Sequence, residues 1–213
     1  MASVEEGKTL RDTAFDVMKQ NIISGEWPGG MFLPEKYLSE LLGMSKTPIR
    51  SALDRLEMMG LVKLSPKQGV IVQEVSLKKI LEIYELRLSL ETFAVRKLTG
   101  KMDDAFFRQL DENLSLQAIA IDREDITRYV ELDGQFHEMI VAGLDNEEYT
   151  EVMKRIQDKF MLVVRTTFVR NPSRLMGSLE EHWQIRHALS GQDAELSLRL
   201  IEQHIEYVKV IML

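Results

Sequence analysis

Between Leu33 and Leu56 two short amphipathic runs flank a single glycine, and this arrangement limits the fold more than any other part of the chain. Leu38, Leu41 and Leu42 make one apolar face, Gly43 supplies a tight turn, and Ile49, Leu53 and Leu56 make a second face at spacings of four and three. Thr47 is a good N-cap for the second helix, with Pro48 at its first position, where a missing N–H costs nothing. The pattern predicts a helix-turn-helix whose second helix points Ser45, Lys46, Thr47 and Arg50 outward at its N-terminal end. That is the end that meets phosphates and base edges. Gly60 then suits a left-handed helix stop. Val62 and Leu64 alternate with Lys63, and Val70 and Val72 flank Ile71, with Ser65-Pro66-Lys67-Gln68-Gly69 between them. Two strands around such a turn form a β-hairpin wing. Lys36, and Lys67, Gln68 and Gly69 at the wing tip, complete the residues expected at DNA.

A net charge of −7 over 213 residues looks wrong for a DNA binder until it is divided by region. Residues 1–75 hold nine Lys/Arg against ten Asp/Glu, whereas residues 76–213 hold eighteen against twenty-four. Within residues 36–68 the basic side chains are Lys36, Lys46, Arg50, Arg55, Lys63 and Lys67, against only Glu40, Asp54 and Glu57. A local basic face is what neutralises phosphates, so the total does not exclude nucleic acid. The chain has no cysteine, which excludes disulfides and thiolate metal sites. No apolar run approaches the roughly 18 residues that suggest a membrane span, and Met1 to Lys8 lack the core of a secretory signal. A soluble cytoplasmic protein, with no membrane partner, is expected.

From Ser76 onward strand patterns give way to six helical segments, about 76–98, 103–121, 125–143, 147–168, 173–190 and 193–212. Short connections at Thr99-Gly100, Gly143-Leu144-Asp145, Asn171-Pro172 and Gly191-Gln192 argue for an antiparallel helical bundle. Two domains follow, 1–75 and 76–213, joined at Gln73-Glu74-Val75-Ser76, a hinge short enough to transmit bundle geometry. In the bundle Asp133 and His137 stand four apart and so share one helix face, while His182 and His204 lie on later helices. Taken alone, an Asp/His pair at this spacing is more often a surface ion pair, and a lone His is usually a partly buried polar residue. Against that, the chain has only four histidines, and His137 borders an apolar stripe through Phe136 and Ile140. A carboxylate and three imidazoles suit a divalent ion such as Zn²⁺, Ni²⁺, Mn²⁺ or Fe²⁺. His187 falls outside the set. Arg87 interrupts the stripe Ile80, Ile83, Tyr84, Leu90 and Ala94, and a buried Arg must find an anion. That anion is either the carboxylate of a small effector, with Tyr84 beside it, or an internal Glu such as Glu91. Trp27, in the loop Gly25-Glu26-Trp27-Pro28-Gly29-Gly30, is expected to pack within the first domain or against the bundle.

Residues 10–73 resemble the winged helix-turn-helix of the GntR family of bacterial transcription regulators. The resemblance runs through Gly25, Pro28-Gly29, Leu33, Glu35, Ser45 to Leu53, Gly60-Leu61-Val62 and Gly69. Residues 76–213 are similar to the ligand-binding FCD domain of the FadR subfamily, through Asp133-Gly134-Gln135-Phe136-His137, Glu181-His182 and His204-Ile205. The resemblance implies a mostly α protein, a winged helix-turn-helix followed by an all-α bundle. It also implies one divalent transition metal ion per chain on Asp133, His137, His182 and His204, with room for an exogenous oxygen. The implied function is a metabolite-responsive regulator, a repressor, acting as a homodimer on pseudo-palindromic operator DNA and sensing a small organic acid. Lys46 stands where the family commonly has Arg, and Ser51 where Glu is common, so base preference at those positions is not carried over. Two other readings stay open: a purely structural metal, and a metal-dependent enzyme on a helical bundle. The enzyme reading lacks the paired Glu-x-x-His motifs of di-iron bundles, and Glu138 points about 100° from His137 on a helix of 3.6 residues per turn.

Overall fold

The computed structural model describes residues 8–65 and 69–212; Met1–Gly7, read above for a signal, and the wing-tip residues Pro66, Lys67 and Gln68 lie outside it. The chain divides into two compact units at Val75/Ser76. The first contains α1 (Leu10–Ile23), β1 (Phe32–Pro34), α2 (Glu35–Leu42), α3 (Lys46–Met58), β2 (Val62–Ser65) and β3 (Gly69–Val72). The second contains α4 (Leu77–Leu98), α5 (Asp104–Asp122), α6 (Ile126–Ala142), α7 (Glu147–Arg170), α8 (Arg174–Ser190) and α9 (Ala194–Met212).

In the first unit Met18, Ile22, Trp27, Leu38, Ile49, Leu53 and Leu56 are buried in one core, whereas Leu41, read onto the same face as Leu38, is exposed and Leu42 half-buried. Trp27 belongs to this core. Gly43 sits at φ +63° and Gly60 at φ +69°, the left-handed values that stop α2 and follow α3. Two local expectations are corrected. The helix opens at Lys46 with Ser45 in the N-cap position, two residues earlier than Thr47, so Pro48 lies within the first turn. Proline is still harmless there, because the first four N–H groups of a helix have no intrahelical acceptor. The expected hairpin forms from β2 and β3, but it is not the whole sheet. A third strand, β1, pairs antiparallel with β3 to give the order β1-β3-β2, with Leu33 opposite Val70 and Leu64 opposite Val70 on the other side. Gly69 pairs across with both Pro34 and Ser65, at φ +147° and with the Leu33 carbonyl against the face where a Cβ would stand. Only glycine fits that position.

The bundle helices start where the sequence supplies caps. Ser76, Asp103, Asp125 and Asn146 each accept a hydrogen bond from a first-turn backbone N–H of α4, α5, α6 and α7. The core they enclose includes Ala94, Leu110, Leu114, Tyr129, Phe136, Ile140, Phe160, Phe168, Leu189, Ile201 and Ile205. Burying side chains of this size is worth roughly 1.5–3 kcal/mol each, which holds the helices tightly enough to fix polar groups inside. Among the described residues, no helix is long and apolar enough to cross a membrane.

Candidate functional site

Four polar side chains converge inside the bundle. Asp133 and His137 come from α6 at helical spacing, His182 from α8 and His204 from α9; all four are buried, and their ligand atoms lie within 4.8 Å of one another. The Nε2 of His204 is 3.2 Å from that of His137 and 3.3 Å from that of His182, and Asp133 Oδ1 is 3.5 Å from His182 Nε2. Phe136 stacks on the His182 ring at 4.4 Å between centroids and fixes its plane.

The other nitrogen of each imidazole is engaged. His137 Nδ1–H donates to Glu91 at 2.5 Å, His182 Nδ1–H to the Gln117 carbonyl at 2.9 Å, and His204 Nδ1–H to Glu181 at 2.7 Å. Each acceptor is held in turn. Arg87 Nε donates to Glu91 at 2.7 Å, Gln117 Nε2 donates to Asn113 at 2.8 Å, and Arg174 donates to Glu181 at 2.5 Å. With Nδ1 carrying the proton, every Nε2 presents a lone pair to the same point. Three lone pairs and a carboxylate oxygen so close repel one another unless a cation lies between them. A metal–nitrogen bond of about 2.0–2.1 Å would put neighbouring donor atoms roughly 3.0–3.4 Å apart, which is the spacing of the imidazole nitrogens here. The residues fit a borderline divalent ion, with its outer hydrogen bonds already in place.

Electrostatics agrees with that protonation pattern. Burial holds His137 and His182 well below the usual imidazole range, helped by the positive charge of Arg87 and by the neighbouring imidazoles. His204 is lowered as well, burial outweighing the pull of Glu181. Asp133 is pushed up to about 7, by burial first and then against the pull of Arg87; Glu91 adds to the rise and Arg174 opposes it. Burial also raises Glu91, in spite of Arg87. Glu181, which burial pushes up, ends lowered because His204 and Arg174 donate to it.

Of the other residues singled out in the sequence, Arg87 takes the internal partner: it pairs with Glu91 one helical turn on, and its guanidinium lies 3.7 Å from the centroid of the Phe160 ring. Its Nη2 is buried with no hydrogen-bond partner. Tyr84 meets the same Phe160 edge-on at 5.3 Å. His187 is exposed and donates to the Trp183 carbonyl, away from the cluster. Sequence reasoning had no role for Asn113, Gln117, Arg174 or Gln157, and gave Glu91 only as a partner for Arg87. The one available signal was polarity at positions within apolar helix faces.

In the first unit Ser45, Lys46, Thr47 and Arg50 are all exposed around the N-terminal end of α3. Arg50 is held by Glu35 through Nε at 3.1 Å and Nη2 at 3.0 Å, and Lys36 lies 3.7 Å from Glu40. Gly69, expected at the wing tip, is the buried first residue of β3, directly after Pro66, Lys67 and Gln68 in sequence and paired with Ser65 at the turn end of the hairpin. Lys67 and Gln68 fall outside the described residues.

Residues 10–72 match the family "Bacterial regulatory proteins, gntR family", and residues 82–207 match "FCD domain". Over 196 residues the chain is 25% identical to the HTH-type transcriptional repressor RspR of Escherichia coli (strain K12), spanning 91% of this chain and 85% of that protein. It is 26% identical over 196 residues to the gluconate operon transcriptional repressor of Bacillus subtilis (strain 168), spanning 90% and 80%. In fold it is similar to E. coli McbR/YncC, with a TM-score of 0.83, 23% identity and coverage of 96% and 97%. The two sequence relatives are named as transcriptional repressors. Helix-turn-helix, wing and FCD bundle thus occur together in one chain, which belongs to the GntR family of transcription regulators.

Proposed function

We propose that this regulator is a cytoplasmic, homodimeric repressor that holds one divalent transition metal ion per chain and senses a small organic acid bound beside it. The ion would be held by Asp133, His137, His182 and His204; when bound, it supplies a positive charge to which a carboxylate oxygen can coordinate. The observation that carries this reading is the meeting of three Nε2 lone pairs at 3.2 and 3.3 Å with each Nδ1–H already committed. The relative from B. subtilis is named for gluconate, itself a small organic acid, which supports an acid as the effector class. In the first unit Ser45, Lys46, Thr47 and Arg50 would face the major groove of an operator half-site, with Lys36, Lys67, Gln68 and Gly69 near the backbone. One recognition helix covers one half-site, so a dimer on a pseudo-palindromic operator follows.

Metal analysis of the purified protein beside a His182→Ala, His204→Ala double variant tests the ion. About one ion per chain, lost in the variant, is the expected result for a four-ligand site losing half its donors. Undiminished metal in the variant would move the site elsewhere.

A further inference from the structure

Gly134 is out of place in α6. Glycine weakens a helix interior, and neither a turn nor a left-handed backbone calls for it, since Gly134 is not among the positive-φ residues. What explains it is Gln157 of α7. A Cβ on Gly134 would stand 2.1 Å from Gln157 Nε2 and 3.1 Å from its Cδ, so the amide occupies the space a side chain would fill. Gln157 is 1% exposed, yet neither its Nε2 nor its Oε1 has a hydrogen-bond partner. A primary amide left unsatisfied at both ends is among the costlier groups to bury, and native interiors rarely tolerate one without a reason.

Its surroundings supply the reason. Gly134 follows the proposed ligand Asp133 in α6 but lies about 100° round the helix from it, on the flank that meets Gln157 of α7. One turn along the same face of α7 is Phe160, on which Arg87 rests with its own Nη2 buried and unpartnered. Arg87 in turn holds Glu91, the partner of His137, so the glycine gap, the open amide and the unpartnered guanidinium nitrogen are linked to the histidines through Phe160 and Glu91. An amide offers a donor and an acceptor side by side. A carboxylate could use only the donor, whereas a hydroxyl uses both, accepting from Nε2–H and donating to Oε1.

We propose that Gln157, seated by Gly134, recognises a hydroxyl of the effector, so that the sensed compound is a hydroxylated organic acid, with Arg87 Nη2 donating to another of its oxygens. The assignment rests on the carboxylate-sensing reading above and adds the substituent that sets specificity. Gln157 discriminates between acids, whereas the imidazole cluster would hold whichever acid enters.

The test is calorimetry on the metal-loaded, full-length protein with succinate, malate and tartrate, which carry none, one and two hydroxyls on one carbon skeleton. The better hydroxy acid should bind at least about tenfold more tightly than succinate, the worth of one well-made buried hydrogen bond. Gln157→Leu should bring the affinities of the three acids together at unchanged metal content. Gly134→Ala keeps the glutamine but pushes its amide aside, and should lose the same preference while keeping its metal. It carries the test if Gln157→Leu does not fold. A hydroxyl preference that survives in Gly134→Ala and in any folded Gln157→Leu overturns the assignment. Metal-dependent succinate binding with no hydroxyl preference in the wild type overturns it too, but leaves carboxylate sensing intact. Failure of all three acids to bind the wild type overturns both.

Discussion

Burial moves Asp133 and the imidazoles to opposite sides of their usual ranges, and the proton balance of ion uptake follows. The ion-free imidazoles are neutral at physiological pH, while Asp133, pushed up to about 7 by burial against the pull of Arg87, is largely protonated at pH 6. Coordination requires the carboxylate, so uptake at pH 6 should release about one proton per ion, and at pH 8 almost none. By the same linkage, the contribution of Asp133 to ion-free stability is fully present below 3.8 and is lost as pH rises through about 7. Calorimetric titration with Zn²⁺ in buffers of different ionisation enthalpy counts these protons. Equal release at pH 6 and pH 8 would remove Asp133 from the ligand set. Asp133 and His137 were legible in the sequence because a spacing of four joins them on one helix. The hydrogen bonds that orient the imidazoles were not. Glu91 lies 46 residues from His137 and Gln117 lies 65 from His182, and a single polar residue on an apolar face does not announce its partner.

Elements long enough to repeat their pattern were placed well: all six bundle helices begin and end within two residues of the spans expected from sequence. The failures are short elements. Phe32–Pro34 is three residues long and carries a proline, so no alternation could mark it as a strand; it exists because β3 offers it a partner. The start of α3 falls at Ser45 and not at Thr47, two hydroxyl residues that both suit an N-cap, Ser somewhat better than Thr. That boundary decides which side chains lead at DNA. With Lys46 as the first helical residue and Arg50 one turn later, the two should differ in kind. Arg50→Ala should cost operator affinity about 1–3 kcal/mol more than random-DNA affinity, the worth of a two-pronged base contact. Lys46→Ala should weaken both about equally and shrink the salt slope by about 1, as a phosphate contact does. Binding isotherms on operator and scrambled fragments at several salt concentrations separate these outcomes. Equal losses on both DNAs for Arg50→Ala would make it a positioning contact only.

At the scale of the whole molecule, the proposed sensor must couple two ligands through one chain. A coupling of about 1–3 kcal/mol, common for allosteric pairs, changes DNA affinity roughly 5–150-fold, and operator DNA must change acid affinity by the same factor. Titrating malate into the metal-loaded protein with and without an operator fragment measures that factor. Acid binding that needs the metal but ignores the DNA would leave a structural ion with a fortuitous ligand. The acidic balance of residues 76–213, eighteen basic side chains against twenty-four, adds no attraction to DNA, so grip on arbitrary sequence falls to the first unit. There the doubly hydrogen-bonded pair of Arg50 and Glu35 has a further effect. A cation already answered by a carboxylate adds less to the pull on arbitrary phosphate, and the exposed pair, screened by water, yields readily to a base edge with two well-placed acceptors. If Arg50 reads the operator as proposed, the molecule would carry that arginine sheathed while it scans. Its dwell time on wrong sequence would shorten, and the search of a chromosome would be quicker than the protein's full complement of basic side chains would allow.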